Sequence, residues 1–157
     1  IQMPTVTDKM QNVRTAGIYL EKIKDEKPDF VILPEMFCCP YQTQNFPVYA
    51  EEEGGPVWQQ LSEYAKQYGI YLIGGSMPEK DAEGKVYNTS YIFDRQGKQI
   101  GKHRKVHLFD ILVFIHKHCI CIIFLQQFHC IIHSKNETCG GESVCQKSII
   151  ADDRHGI

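Results

Sequence analysis

Glu35, in Leu33-Pro34-Glu35-Met36-Phe37, and Lys105, in Gly101-Lys102-His103-Arg104-Lys105-Val106-His107-Leu108-Phe109-Asp110, are the two residues of this chain best suited to act together chemically. A carboxylate at the end of one strand can take up and return a proton. An ammonium at the end of another can hold a developing negative charge. These are two of the three parts of a hydrolytic site. The third, a nucleophile, decides whether the chain can turn over a substrate.

The elements that must position this pair are legible from spacing. Asp8 is a suitable N-cap, and Met10, Val13, Ala16, Leu20 and Ile23 then recur at helical spacing until Lys27-Pro28. Phe30 to Leu33 is a short apolar run that predicts a strand buried on both faces, with Pro34 closing it and Glu35 at its carboxyl end. Gly54-Gly55-Pro56 opens a second helix with the apolar stripe Val57, Leu61, Tyr64, Ala65 and Tyr68, and Gly69 fits its C-cap. Ile70 to Ile73 is a second buried strand, ending in Gly74-Gly75-Ser76. Val86 to Asp94 alternates as a half-exposed strand does. Arg95-Gln96-Gly97 turns the chain, and Lys98 to Arg104 returns as the hairpin partner. Helices between buried strands imply an α/β layered fold.

The 157 residues suffice for one domain with a real core, and the net charge of -2 gives no reason to expect nucleic acid or an anionic membrane as partner. The basic cluster Lys102-His103-Arg104-Lys105 is short enough to be a solvated strand end. No leader segment is visible at Ile1. No uncharged apolar stretch is long enough to span a membrane, since Ile111 to Leu125 is interrupted by His116-Lys117-His118. Seven cysteines without a secretory signal argue for reduced thiols and a cytoplasmic setting.

After Ile111 the character changes. Leu112 to Ile132 is dense in Ile, Phe, Cys and His without a helical or strand period, and the remainder to Ile157 is polar. Caps, turns and propensities no longer agree there, so residues 112–157 are expected to form a divergent, poorly structured tail. A reading-frame error or a retained intervening sequence would produce such a break.

The runs Leu33-Pro34-Glu35-Met36-Phe37, Gly74-Gly75-Ser76, Tyr87-Asn88-Thr89 and Arg104-Lys105-Val106-His107-Leu108-Phe109-Asp110 resemble, in order, the landmarks of the nitrilase superfamily of carbon-nitrogen hydrolases. Lys-Val-His-Leu-Phe-Asp is closest to the omega-amidase (Nit2-like) branch. The resemblance covers residues 1–111. It implies an αββα sandwich, here partial and truncated, and a Glu-Lys-Cys triad that cleaves small-molecule amides or nitriles through a thioester without metal or organic cofactor. It further implies Glu35 as general base, Lys105 as the oxyanion-stabilising lysine, a small amide as partner and a homo-oligomeric assembly.

The departures are specific. The amino end begins inside the family's first strand. Leu112-Val113-Phe114 stands where a loop with a supporting glutamate is expected. The glycine-rich strand ending in Cys-Tyr-Asp is absent, so the chain as written is expected to be inactive, either as a non-catalytic relative or as an interaction chain. Cys145, after Gly140-Gly141-Glu142-Ser143-Val144, has about the right spacing for the nucleophile, but Gln146-Lys147 follows it. Cys38 and Cys39 lie near Glu35, and packing or substrate contact suits them better than nucleophilic attack. His116, His118, Cys119, Cys121, His129, Cys130 and His133 offer zinc-ligand types without zinc-knuckle spacing, so no structural metal site is expected, and metal binding through this Cys/His-rich tail stands as a further alternative function. Asn136-Glu137-Thr138 matches a glycosylation acceptor, which carries little weight without a secretory signal.

Overall fold

The computed structural model describes residues 1–105. The tail from Leu112, with Cys145 and the candidate zinc ligands, lies outside the described residues.

Helix α1 spans Lys9–Ile23 and begins where Asp8 accepts a hydrogen bond from the Gln11 amide at 2.8 Å. It buries Val13, Ala16, Leu20 and Ile23 and runs into a 3-10 turn, Lys24–Glu26. Strand β1 (Phe30–Ile32) follows. A second 3-10 turn, Thr43–Asn45, leads into the short helix α2 (Phe46–Tyr49). Helix α3 (Pro56–Tyr68) buries Val57, Leu61, Tyr64 and Ala65, with Tyr68 partly buried, and stops at Gly69, whose left-handed backbone lets its amide close the last turn. Strands β2 (Tyr71–Ile73), β3 (Met77–Lys80), β4 (Val86–Phe93) and β5 (Gln99–Arg104) complete the described part.

The five strands form one mixed sheet. β1 lies parallel to β2, and β2, β3 and β5 each run antiparallel to β4. Phe93 pairs with both Leu72 and Gln99, and Thr89 pairs with both Met77 and Arg104. β2 and β3 therefore share one edge of β4, joined by the kink at Gly74-Gly75-Ser76, and β5 takes the other edge.

Side chains alternate between the two faces. Tyr91, Phe93, Leu72 and Met77 join Val13, Leu20, Val57, Leu61 and Ala65 in the core between the sheet and helices α1 and α3. Ile32, Ile73, Ile92, Ser90 and Asn88 occupy the opposite face. The described residues thus supply one helical layer and one sheet, half of an αββα sandwich.

Three expectations need correction. The first strand is not buried on both faces, because the helices cover one side only and Ile32 remains 42% exposed. The strand at 86–94 is not half exposed. β4 has neighbours along both edges and is buried from Asn88 to Phe93, so its polar alternation marks internal polar contacts rather than solvent. Strand β3 and helix α2 are additions to the expected elements. Pro78 argues against a strand in isolation, and here the bridge between Glu51 and Glu79 supports that segment.

Candidate active site

Glu35 sits on the turn that leaves β1, and this turn is fastened to the β2–β3 kink. Ser76 Oγ accepts the Met36 amide at 3.0 Å, and the Ser76 amide donates to the Pro34 carbonyl at 3.3 Å. Gly75 has a φ of +58°, and a Cβ there would lie 2.0 Å from the Pro34 oxygen. Only glycine permits so close a crossing. Met36, directly after Glu35, adopts a φ of +51° and is buried, so surrounding contacts hold this residue in a conformation that non-glycine residues seldom adopt.

Lys105 follows the last residue of β5. Its amide donates to the Asn88 carbonyl at 2.8 Å, which extends the Thr89–Arg104 pairing by one step and makes Asn88 and Lys105 cross-strand neighbours. A bulge sets this register. Phe93 pairs with Gln99, but Ile92 pairs with Gly101, so Ile100 is the extra residue on β5. Counted outward from the Phe93–Gln99 pair without the bulge, Lys105 would oppose Tyr87 and point toward the helices. With it, Lys105 faces the side that carries Asn88.

The structure brings the two sequence-selected residues into contact. Lys105 Nζ lies 2.7 Å from Glu35 Oε1, with the carboxylate side chain 10% and the lysine side chain 20% exposed. Asn88 Nδ2 donates to the same oxygen at 2.8 Å, and the Tyr41 hydroxyl approaches it at 3.4 Å. Burial, reinforced by the Glu35 charge, pushes the Tyr41 phenol up to about 12, so it stays a protonated donor at neutral pH. Tyr41 also meets Phe46 of α2 edge to face.

Cys38 and Cys39 are free, buried thiols beside this turn, packed into the core. Burial pushes the Cys38 thiol up to about 12, with the Cys39 and Glu51 charges adding to it, and burial pushes Cys39 up to about 11. Neither is a thiolate at neutral pH, which fits packing rather than attack. Among the described residues no group of three or more His, Cys, Asp or Glu side chains could hold a metal ion. No helix among them is long and apolar enough to cross a membrane.

Sequence reasoning alone assigns no contact to Asn88 or Tyr41. Tyr87-Asn88-Thr89 stands out as a landmark, but its role depends on the bulge, which no turn signal announces. Tyr41 lies in a loop without periodicity.

The carbon-nitrogen hydrolase family model matches residues 1–118. Over 111 residues the chain is 46% identical to omega-amidase NIT2 of Homo sapiens, covering 71% of this chain and 40% of that protein. It is 44% identical to nitrilase homolog 2 of Dictyostelium discoideum over 112 residues, covering 71% of this chain and 34% of that one. The crystal structure of Saccharomyces cerevisiae Nit3, a member of branch 10 of the nitrilase superfamily, superposes with a TM-score of 0.63 at 40% identity over 72% of this chain and 45% of Nit3. The matched part of the chain therefore spans less than half the length of each of these relatives. The family match over three quarters of its residues, the identity to omega-amidases and the shared fold together make this chain a member of the carbon-nitrogen hydrolase family, in its Nit2-like branch.

Proposed function

We propose that Glu35 and Lys105 are the base and the oxyanion-stabilising lysine of a small-molecule omega-amide hydrolase, and that the 157 residues by themselves lack the thiol for turnover. The observation that carries this reading is the part-buried 2.7 Å contact between Lys105 Nζ and Glu35 Oε1. In thioester chemistry a thiol gives its proton to the carboxylate as sulfur attacks the amide carbon. The ammonium stabilises the resulting oxyanion, and the carboxyl returns the proton to the departing nitrogen. Glu35 and Lys105 lie close enough together to serve one reacting carbonyl group.

Cys38 and Cys39 are too basic and too enclosed to be the thiol. No cysteine of the sequence precedes Tyr-Asp. The reading divides the chain near residue 111, where composition changes, into a hydrolase portion and a divergent segment 112–157. It carries with it the family's homo-oligomeric assembly and a cytoplasmic setting.

Two measurements test it. Incubation of the whole chain with an omega-amide of a dicarboxylic acid should release no ammonia and leave no thioester mass on any cysteine; an acyl adduct on Cys145 would show that the chain supplies its own nucleophile. Joining residues 1–105 to the downstream part of the human NIT2 relative should give an active hydrolase. In it Glu35→Gln should cost about 10²–10⁴ in rate, the usual contribution of a general base. Equal turnover with and without Glu35 would sink the assignment.

A further inference from the structure

Three donors converge on a single oxygen of Glu35. Lys105 Nζ, Asn88 Nδ2 and the Tyr41 hydroxyl all reach Oε1, and among the described residues no donor reaches Oε2. They do not constrain the carboxylate equally. Tyr41 approaches from a loop at a long distance, and Lys105 reaches in on a flexible four-carbon stem. Asn88 is buried on the central strand, with paired neighbours along both edges of β4 and only a short side chain to move. Its carbonyl also accepts the Lys105 amide, so one residue touches both members of the pair. Its Oδ1 is buried without a donor among the described residues, so the hydrogen bond to Glu35 alone orients the amide.

We propose that Asn88 is the positioning residue of this site: it pins Oε1 and so fixes the carboxylate plane, leaving Oε2 as the oxygen that exchanges protons. This rests on the amide-hydrolase reading of Glu35. The thiol proton passes to Oε2 as the carbon–sulfur bond forms. It passes from Oε2 to nitrogen as the carbon–nitrogen bond breaks, and the carboxylate is ionised again. Water then attacks the thioester, giving a proton to Oε2 that the departing sulfur takes back. Throughout both halves Oε1 keeps its donors.

The test uses the whole chain and needs no turnover. Glu35 is labelled with a carbodiimide and an amine and quantified by mass spectrometry, with the unfolding midpoint recorded for each variant. In Asn88→Leu, and in Asn88→Asp, which keeps the shape but removes the donor, Glu35 should label about tenfold faster, as expected when a hydrogen bond to a charged group is lost. Lys105→Met should also raise the labelling. Unchanged labelling in both Asn88 variants, with a rise in Lys105→Met, overturns the role of Asn88 and leaves the pair intact. No rise in Lys105→Met means the pair does not form, and the hydrolase reading falls with the proposal. A second measurement needs no Asn88 variant. Exchange of the Asn88 side-chain amide protons should be slow in the native chain and severalfold faster in Glu35→Ala while backbone protection elsewhere stays the same; equal side-chain exchange overturns the proposal.

Discussion

The two faces of the β4–β5 hairpin each meet a carboxylate held by basic groups, and the two are held differently. On the helix-facing side Glu79, 2% exposed, receives donors on both oxygens. Lys102 Nζ and an Arg104 terminal nitrogen reach Oε1 at 2.7 Å each, while Arg104 Nε at 3.2 Å and the Thr89 hydroxyl at 2.6 Å reach Oε2. Burial alone would raise this carboxyl, but hydrogen bonds from Arg104, Lys102 and Thr89 outweigh it and hold it at about 2. On the other side Lys105, Asn88 and Tyr41 all meet one oxygen of Glu35. A carboxylate with both oxygens satisfied is committed to structure. Glu35 keeps one oxygen without a donor among the described residues, which is what the proposed proton exchange requires.

The two faces also depend on each other. Lys102 and Arg104 point to Glu79 because they alternate with His103 and Lys105 along β5. The ion cluster therefore fixes the strand register that presents Lys105 to Glu35. Glu79 lies on the helix-facing side, away from Glu35, yet it constrains where the lysine goes.

The most severe way to break the comparison is to insert one residue between Gly101 and Lys102. With Gly101 still opposite Ile92, the strand beyond it would shift by one step, and Lys105 and the Glu79 partners Lys102 and Arg104 would be driven to exchange faces. In the hybrid with the human NIT2 relative, amide turnover should fall by about 10²–10³, as when an oxyanion donor is removed. Full activity in the insertion variant would show that the strand register does not set the site.

Glu79→Ala should be the next largest. It leaves two cations without their shared partner and should cost about 3 kcal/mol in chemical unfolding, the lower end for breaking a buried pair because Lys102 and Arg104 keep some solvent. The same residue gives a pH signature. Its carboxyl is depressed from an ordinary 4.5 to about 2 in the folded chain, so its stabilisation is complete above about pH 4.5 and is lost as pH falls toward 2. Glu79→Gln should flatten that part of the stability curve; an unaltered acid limb would remove Glu79 as its source.

The smallest effect sharpens the contrast between buried and exposed arms of one network. Glu53 also takes Lys102 Nζ at 2.7 Å, but its side chain is 44% exposed. Glu53→Ala should cost only about 0.5 kcal/mol, as solvent-screened pairs do. A loss as large as that of Glu79→Ala would show that exposure is not what separates the two.

Much of this fold is legible in the sequence because it is local. Asp8, Gly69 and the stripes of α1 and α3 act within a few residues, so cap chemistry and helical spacing locate both helices. The turn at Arg95-Gln96-Gly97 announces the hairpin, and the motif around Glu35 and the run through Lys105 identify the pair. What the sequence determined by itself was therefore most of the inventory: both long helices, every described strand but β3, which two residues could act, and to which family they belong. Tertiary structure decided the meeting. Glu35 and Lys105 are 70 positions apart, and their contact requires the Gly75 crossing, the pairing of β4 with strands on both edges and a bulge that takes up Ile100. A single step in strand register moves a side chain to the opposite face, and that choice is made by long-range packing and by the ions around Glu79, not by local propensity.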